Sequence, residues 1–236
     1  MQKKSENMIL TIFGILLFSL IVIYRKIKDK QLLETVTKPY RGTRSERALV
    51  LKLLKHGIPA ETIFHDLYLR NSNRHFSQID LVVPTKVGII VFEVKDYGGW
   101  IFGNGQNTNW TQIMAYGKRK YRFYNPIKQN AKHIEDLRNK LRLSENIPFY
   151  SVIVFYGDCE LKDISFVPSG TFIMKANRVL KAIEMILNEN ESAPYTDKFE
   201  IIRVMKEAVE NGENVEIQTQ HIENIRKMVG KHRLFE

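Results

Sequence analysis

Two apolar runs separated by a short break give the most regular hydrophobic pattern in the chain, within residues 78–97. The runs 79–83 and 89–94 are rich in β-branched residues, and such runs on either side of a turn are typical of two neighbouring strands. The pattern therefore predicts an antiparallel hairpin. Because both faces of this hairpin are largely apolar, we expect it in the centre of a sheet that is covered on both sides.

Charged residues are confined to the open end of this hairpin. A turn centred between residues 86 and 87 pairs Pro84 with Ile89, Asp80 with Glu93, and Gln78 with Lys95. Side chains alternate between the two faces of a strand, so the polar residues share one face. The opposite face is apolar and carries Ile79, Leu81, Val83, Ile90, Phe92 and Val94. Buried ionisable groups are costly without partners or a metal, so this end is a candidate site.

Weaker patterns place further strands and helices around the hairpin. Thr43 followed by Glu46 fits a capping box and predicts a helix that ends near Lys55. Asn125 followed by Pro126 predicts the start of another helix. The remaining predicted strands cover residues 62–69, 110–114, 120–123 and 149–156, and the remaining predicted helices cover residues 177–188, 197–210 and 219–230.

Glu46 has two interpretations. As the fourth residue of the capping box, it stabilises the start of its helix. Counting back by three and four from Leu49 and Val50, on the apolar stripe, also leads to Glu46, so its carboxylate points along the buried face. A helix-capping residue and a site residue therefore both remain open.

The N-terminal region contains a candidate membrane segment. Residues 8–24 carry no charge, and these 17 residues are at the lower limit of the roughly 17 to 25 that cross a bilayer as a helix. A cleaved signal peptide is the alternative, because Lys3 and Lys4 precede the run, but no small-x-small cleavage site follows Leu20. More positive charge follows the run than precedes it, which places the C-terminal bulk in the cytoplasm. The sequence thus predicts a single-pass protein of the cell membrane.

This segment divides the chain into a tail (1–7), a transmembrane anchor (8–24), a juxtamembrane linker (25–38), a folded domain (39–188) and a C-terminal helical extension (189–236). The 236 residues include 36 basic and 26 acidic ones, and of the net charge of +10, +4 lies in residues 1–30. The remainder is mildly basic, which permits an anionic partner. A single cysteine, Cys159, excludes an internal disulfide and a multi-cysteine metal site.

Residues 116–124 interleave four cations with four aromatic side chains. This composition is typical of a surface that follows phosphates and stacks on bases, and the candidate nucleic-acid contacts are Lys118, Arg119, Lys120, Tyr121 and Arg122. An exposed hairpin with extended lysine side chains has the same composition, so that interpretation also remains open. In the helix that follows, Gln129 and His133 lie four residues apart beside the apolar stripe. They are candidates for supporting the site, although a lone buried histidine is usually structural.

The residues at the hairpin end suit a divalent cation. Two carboxylates opposite one another repel unless a positive charge lies between them. The oxygen ligands of Asp80 and Glu93 suit Mg²⁺ or Mn²⁺, which leave room for water and a phosphate oxygen. Lys95 either holds and deprotonates an attacking water or stabilises charge on phosphorus, and Glu46 completes the set. An internal ion pair of Lys95 with either acid is the alternative without chemistry.

A wider set of motifs resembles a known family. The set comprises Gly42-x-x-x-Glu46, Gln78-Ile-Asp80, Gly88-Ile-Ile-Val-Phe-Glu93-Val-Lys95, Gly99, Trp110 and Asn125-Pro-x-x-Gln129 with His133. Asp80 followed by Glu93-Val94-Lys95 is similar to the PD-(D/E)xK nuclease signature, although Ile79 stands where that signature has proline. The whole set resembles the nuclease-related domain (NERD) family over residues 38–157.

The resemblance implies a restriction-endonuclease-like α/β fold, with a mixed sheet between helices, and metal-dependent hydrolysis of phosphodiester bonds. Its metal ligands carry over onto Asp80, Glu93 and the Val94 carbonyl, with Mg²⁺ or Mn²⁺ as the cofactor. The catalytic lysine carries over onto Lys95 and the helical glutamate onto Glu46, with Gln78, Gln129 and His133 supporting them.

Two functions are therefore expected. The first is a membrane-anchored nuclease that acts on DNA, with RNA fitting the same chemistry. The second is a tethered nucleic-acid-binding or scaffold protein that keeps the nuclease fold and does no chemistry. The sequence identifies no protein partner for either.

Overall fold

The computed structural model describes the backbone of residues 2–71, 75–114, 117–141 and 147–233. Side chains are described within these ranges except at 2–6, 8–10, 225 and 227–233. The helices are α1 (Gln2–Glu34), α2 (Arg44–Lys55), α3 (Pro126–Leu141), α4 (Val179–Glu189), α5 (Lys198–Asn211) and α6 (Val215–Arg233). The strands are β1 (Phe64–Arg70), β2 (Phe76–Thr85), β3 (Gly88–Asp96), β4 (Gly99–Asn104), β5 (Asn109–Met114), β6 (Arg119–Tyr124), β7 (Phe149–Tyr156), β8 (Cys159–Ser165) and β9 (Thr171–Lys175).

The first sheet has five strands in the order β1-β2-β3-β7-β9. Its β1, β2 and β3 are antiparallel, whereas β3, β7 and β9 run parallel. The predicted hairpin is thus β2–β3, and the predicted pair Pro84 with Ile89 is confirmed. A strand in the middle of such a sheet is covered on both faces, as its near-continuous apolar sequence predicts.

Helices cover both faces of the first sheet. On one face, α2 and α4 pack on alternate residues of the hairpin, including Leu81 and Phe92. On the other face, α3 and α5 pack on the residues between them, including Val82 and Val91. The expected mixed sheet between helices is therefore confirmed, and all four of these hairpin side chains are fully buried.

A second sheet, which the sequence does not separate from the first, has the order β6-β5-β4-β8. Its β4 and β8 are parallel, and the other pairs are antiparallel. The inner face of this sheet contributes Ile101 and Trp110 to a third core cluster with Phe155 of β7. The fold is therefore mixed α/β with two mixed sheets.

The chain enters the second sheet at two adjacent points. Strands β3 and β7 pair in parallel up to Asp96 and Tyr156, and β4 and β8 resume the pairing at Gly99 and Cys159. The main chains stay in contact across this gap, since Gly99 N donates to Asp158 O over 2.9 Å. Gly157 has a φ of +72°, and a Cβ there would lie 2.4 Å from the Tyr97 carbonyl oxygen. A glycine is required because no side chain fits between the two crossings.

Helix α1 runs continuously through the segment predicted as a membrane anchor, and its C-terminal end packs on α2. Among described residues, no helix has the length and apolar character for a bilayer crossing. The predicted transmembrane helix at 8–24 is therefore not supported, and its residues 8–10 lie outside the described side chains.

The C-terminal helices form close to their predicted positions. Helix α5 buries Ile201, Val204, Met205 and Ala208 in the same cluster as β1. Its C-terminal end is tied to the segment before α2, because Arg41 Nη1 donates to Val209 O over 3.2 Å. Helix α6 contacts β2, and His221 Nδ1 lies 2.9 Å from Phe76 O. The predicted boundary at 188/189 stays a prediction, but α5 is part of the core.

Candidate active site

The hairpin opens where its charged residues begin. Pairing between β2 and β3 ends at Leu81 with Phe92, one position before Asp80 and Glu93. In place of a main-chain partner, Val94 N–H donates to Asp80 Oδ2 over 2.7 Å. The carboxylate of Asp80 therefore replaces a main-chain carbonyl as the acceptor for Val94 N–H. Asp80 and Glu93 occupy the first position at which the two strands are no longer paired.

The side-chain alternation of β2 also breaks at Asp80. Leu81 packs with the cluster under α2 and α4, whereas Ile79 and Val82 both pack with the cluster under α3 and α5. Regular alternation would put Ile79 and Leu81 on the same face. The predicted face of Ile79 is therefore wrong, and the break turns the partly buried Asp80 side chain away from its expected direction.

The neighbouring strand β1 is irregular at the same level. Asp66 has a φ of +55°, a conformation that is unusual for a residue other than glycine. Its carboxylate accepts from Arg41 Nε over 2.6 Å and from Gln78 Nε2 over 2.8 Å. Gln78 pairs with Tyr68 of β1, but the ladder between β2 and β3 ends at Leu81, so the predicted pair of Gln78 with Lys95 does not form. The splaying of β2 and β3 has removed that position from the ladder.

Glu93 and Lys95 form the centre of the candidate site. Lys95 Nζ lies 2.5 Å from Glu93 Oε1 and donates to Gln129 Oε1 over 3.0 Å. The other carboxylate oxygen, Glu93 Oε2, lies 3.4 Å from His133 Nε2, and His133 Nδ1 lies 3.0 Å from Ser77 Oγ. Gln129 and His133 of α3 thus contact the two charged residues that they were predicted to support.

Glu46 takes part in the cap of α2 and also lies close to Asp80, so its role as a site residue stays a prediction. Thr43 caps α2, and its hydroxyl donates to Glu46 Oε1 over 2.7 Å. The second oxygen, Glu46 Oε2, points away from the cap and lies 3.4 Å from His65 Nε2. His65 Nδ1 in turn lies 2.7 Å from Thr37 Oγ1. Glu46 is 5% exposed, and its negative charge lies near enough to Asp80 to raise the pKa of that residue.

Gly42 allows this close packing. It has a φ of +61°, and an added Cβ would lie 2.4 Å from Glu46 Oε2 and 2.5 Å from His65 Nε2. Only glycine accepts both the left-handed backbone and the contact. The glycine of the motif Gly42-x-x-x-Glu46 is therefore needed to seat the glutamate.

The three acids differ in their electrostatic surroundings. Burial, together with the charges of Glu93 and Glu46, raises the pKa of Asp80 well above its usual value. Burial also opposes ionisation of the other two acids, but contacts with His65 and Thr43 lower the pKa of Glu46, and contacts with His133 and Lys95 lower that of Glu93. The site thus holds two well-compensated carboxylates around a third that lacks sufficient positive charge.

The same environment keeps Lys95 protonated. Burial alone would lower the pKa of Lys95, but the adjacent charge of Glu93 outweighs burial and raises it. Lys95 is therefore a cation at neutral pH.

A divalent cation fits part of this donor set. Among the described residues, no three or more His, Cys, Asp and Glu side chains are grouped so that they could hold a metal by themselves. Mg²⁺ commonly takes only one or two carboxylates and completes its coordination with water and phosphate oxygens. Glu93 Oε2 is buried without a hydrogen bond, and the high pKa of Asp80 indicates a shortage of positive charge. Mg²⁺ at Asp80, Glu93 and the Val94 carbonyl stays a prediction that these features fit.

The predicted nucleic-acid segment lies on an edge strand. Arg119, Lys120, Tyr121 and Arg122 belong to β6, and all four are exposed. Lys118 is exposed in the turn before this strand, and residue 116 lies outside the described part of the chain. Tyr97, just beyond the end of β3, connects this sheet to the site, because its ring centroid lies 4.7 Å from that of Phe123.

Several contacts of the site were not predicted. His65 contacts Glu46, Asp66 accepts from both Arg41 and Gln78, and Ser77 contacts His133. One signal was present, since His65 and Asp66 interrupt a predicted strand that is otherwise largely apolar. Ser77 and Arg41 carry no comparable signal, because their partners are distant in sequence.

Comparison with known proteins finds two similarities. Residues 41–156 match the family model of the nuclease-related domain. An uncharacterized protein of Bacillus anthracis is 27% identical over 170 residues, which cover 72% of this chain and 78% of that protein. No solved structure matches the chain significantly.

Proposed function

We propose that this chain, whose residues 41–156 match the nuclease-related domain family, is a metal-dependent nuclease that hydrolyses phosphodiester bonds of DNA. The observation that carries the proposal is the position of Lys95. Its ammonium group lies 2.5 Å from Glu93 Oε1, at the point where β2 and β3 separate beside Asp80. A restriction-endonuclease-like arrangement of the first sheet is part of the proposal.

Asp80, Glu93 and the Val94 carbonyl would hold the Mg²⁺ or Mn²⁺ ion. Such an ion, when bound, neutralises charge on the phosphoryl group and polarises its oxygens. Glu46 lies outside this ligand set and contributes its negative charge close to Asp80. His65 orients Glu46, and His133 orients Glu93. Each histidine Nε2 lies 3.4 Å from a carboxylate oxygen of its partner.

Lys95 acts as a cation in this proposal. Because the charge of Glu93 raises the pKa of Lys95, the lysine carries its proton at neutral pH and is a poor base. Its N–H groups can instead orient a water molecule and stabilise negative charge that develops on the phosphoryl oxygens. Gln129 fixes the direction of the ammonium group through its 3.0 Å hydrogen bond.

The test is a cleavage assay on supercoiled plasmid and linear DNA with the full chain and Mg²⁺ or Mn²⁺. We expect cleavage that chelation abolishes. Glu93→Gln and Lys95→Met should each lower the rate by at least about 10²-fold, the usual loss when a group that stabilises transition-state charge is removed.

Lys140→Met is the matched control, because Lys140 Nζ also pairs with a carboxylate, Glu207 Oε1 at 3.3 Å, away from the site. Its rate should equal that of the unchanged protein. Cleavage that persists in chelator, or in both site variants, would contradict the proposal and indicate a contaminating nuclease.

A second function has one observation in its favour. Lys95 and Glu93 already form an ion pair with one another, and a buried ion pair can persist for structural reasons. A nucleic-acid-binding protein with a silent nuclease fold would bind DNA in a salt-dependent manner and leave it intact with either metal. The same assay, run beside a binding measurement, separates the two functions.

A further inference from the structure

The second sheet has two unlike faces. Ile101 and Trp110 point inward and are fully buried, at 0% and 1% exposed. Side chains alternate along a strand, so the neighbours of Ile101 point outward. The outer aromatic face, as this surface is called below, includes Trp100, Phe102, Thr111, Ile113, Lys120, Arg122 and Tyr124.

The register of the sheet aligns these residues in two rows. Trp100 of β4 pairs with Ile113 of β5, which pairs with Lys120 of β6. Phe102 is likewise followed across the sheet by Thr111 and then Arg122. Each row therefore begins with an aromatic ring on β4 and ends with a cation on the edge strand β6.

The cations of this face have no anionic partner in the described part of the chain. Lys120 and Arg122 are exposed and form no ion pair with a described residue. The opposite edge differs, since Glu160 and Asp163 of β8 pair with Trp100 and Phe102. Glu160 is neutralised by Lys162 at 2.6 Å, and Lys162 Nζ also lies 5.4 Å from the centre of the Trp100 ring. The two edges thus differ in charge, since β8 carries two acids and one lysine whereas β6 presents Lys120 and Arg122 on this face.

We propose that the outer aromatic face binds single-stranded nucleic acid, with unpaired bases stacked on Trp100 and Phe102 and the phosphates along Lys120 and Arg122. An open sheet with an exposed Trp100 ring and a half-buried Phe102 ring suits bases that present a free face. In a duplex those faces are covered by neighbouring base pairs, so the rings would have no surface to stack on. The β8 edge, with two acids and one lysine, attracts phosphates less than the cationic β6 edge, so the phosphates follow β6.

This inference rests on the proposed function for the class of polymer, and it specifies the substrate as one with an unpaired segment. The second sheet adjoins the end of β3 through the contact of Tyr97 with Phe123. The second sheet therefore follows directly after the element that carries Glu93 and Lys95, with this contact on its inner side, because Phe123 pairs with the buried Trp110.

The two tryptophans of the chain provide the measurement. Trp100 is 36% exposed, whereas Trp110 is buried and stacked on Phe155. We expect an oligothymidylate, added in chelator to prevent cleavage, to quench the emission of Trp100 and leave that of Trp110 unchanged. A blunt hairpin duplex of equal charge should quench much less at the same concentration.

Three variants test the assignment. Trp100→Phe should lose the quenching and keep the affinity, measured by anisotropy of a labelled oligothymidylate. Trp100→Leu should weaken binding by roughly 5- to 150-fold, the range for losing one stacked base. Arg122→Gln should reduce the slope of log affinity against log salt by about 0.7, the value for one phosphate contact on a single strand.

Phe199→Leu is the matched control, since Phe199 is an aromatic residue on α5 that is 91% exposed. It should leave the affinity unchanged. Equal or tighter binding of the duplex, or an affinity that Trp100→Leu and Arg122→Gln leave unchanged, would overturn the inference. Should Trp100→Leu misfold, as near-ultraviolet circular dichroism would reveal, Trp100→Phe and Arg122→Gln decide the question.

The outcome is independent of hydrolysis. Quenching and affinity that respond to these variants in a protein that cleaves nothing would support this surface and contradict the proposed nuclease. Metal-dependent cleavage, with no effect of Trp100→Leu or Arg122→Gln on binding, would support the proposed nuclease and contradict the binding surface.

Discussion

The carboxyl group of Asp80 lies among charged neighbours that already have partners. Glu46 faces His65, and Glu93 faces Lys95 and His133, whereas Asp80 accepts a hydrogen bond from Val94 N–H. Burial, with the charges of Glu93 and Glu46, therefore raises the pKa of Asp80 in the folded protein. The folded state holds this proton more tightly than the unfolded chain does, so ionisation of Asp80 costs stability as the pH rises above the ordinary value of about 4.

Asp80→Asn should therefore stabilise the protein in chelator, because asparagine cannot ionise. The gain in melting temperature over the unchanged protein should be small at about pH 4, the ordinary pKa of aspartate, and should grow as the pH rises toward the raised pKa of Asp80. Added Mg²⁺ should shrink the gain, since only the unchanged protein acquires a compensating cation there. Calorimetry across this pH range checks the prediction.

Asp163→Asn serves as the comparison, because Asp163 is exposed on β8. Its melting temperature should follow that of the unchanged protein at every pH. A stabilisation by Asp80→Asn that is the same at all pH values would contradict the explanation and indicate a packing effect.

At the scale of elements, the start of α3 joins the two sheets to the site. Asn125 is fully buried, and its Oδ1 accepts from Ile127 N over 2.9 Å as an N-cap. Its Nδ2 donates to three main-chain oxygens in the β4–β5 loop, those of Asn104, Gly105 and Asn107. The amide thus fixes the helix that carries Gln129 and His133 to the second sheet.

Asn125→Asp should be strongly destabilising, although aspartate usually caps a helix as well as asparagine does. The carboxylate keeps the acceptor but loses the donor, and it brings a buried charge against three carbonyl oxygens. We expect a loss of at least about 3 kcal/mol in the free energy of unfolding, measured by urea denaturation. Asp197→Asn, at the N-cap of α5, should change it by less than about 0.5 kcal/mol.

Elements with strong apolar patterns were predictable from the sequence, and those defined by distant partners were not. The hairpin β2–β3, the Thr43 cap of α2 and the start of α3 follow from local patterns, and the structure has them. Strands β8 and β9 were missed because β8 is mostly polar and exposed along an edge, so alternation gives little signal.

The candidate site was predictable in its residues more than in its arrangement. Asp80, Glu93, Lys95 and Glu46 do lie around one end of the hairpin, as their spacing indicates. The predicted register assumed two regular strands, and the breaks at Asp66 and Asp80 invalidate it beyond Leu81. Such breaks depend on side-chain contacts between strands, among them the hydrogen bond from Gln78 to Asp66, which no local pattern encodes.

At the scale of the whole molecule, the core extends well beyond the segment that matches the family. The match ends at residue 156, but α5 fills one face of the first sheet with four buried side chains. Each side chain of this size contributes about 1.5–3 kcal/mol on burial, smaller for alanine. Their sum is of the same order as the roughly 5–15 kcal/mol by which a domain is stable.

Truncation after residue 196 should therefore yield a protein that does not fold cooperatively, whereas truncation after residue 214 should remain folded. The second cut removes α6 and keeps α5, together with the hydrogen bonds from Arg41 to Val209 and from Asn211 to Tyr68. Urea denaturation followed by near-ultraviolet circular dichroism compares the two. A cooperative transition in the shorter protein would show that α5 is dispensable.

The chain passes from the first sheet to the second at two adjacent places, after β3 and after β7, and this arrangement affects how proteins of this kind diversify. The crossings at 97–98 and 157–158 lie side by side, so the strands that carry Asp80, Glu93 and Lys95 end before the second sheet begins. Selection can therefore alter the outer aromatic face without disturbing the acids. Among relatives, we expect the identities at positions 80, 93 and 95 to be inherited together, while those at positions 100, 102 and 122 drift separately with the polymer each protein meets.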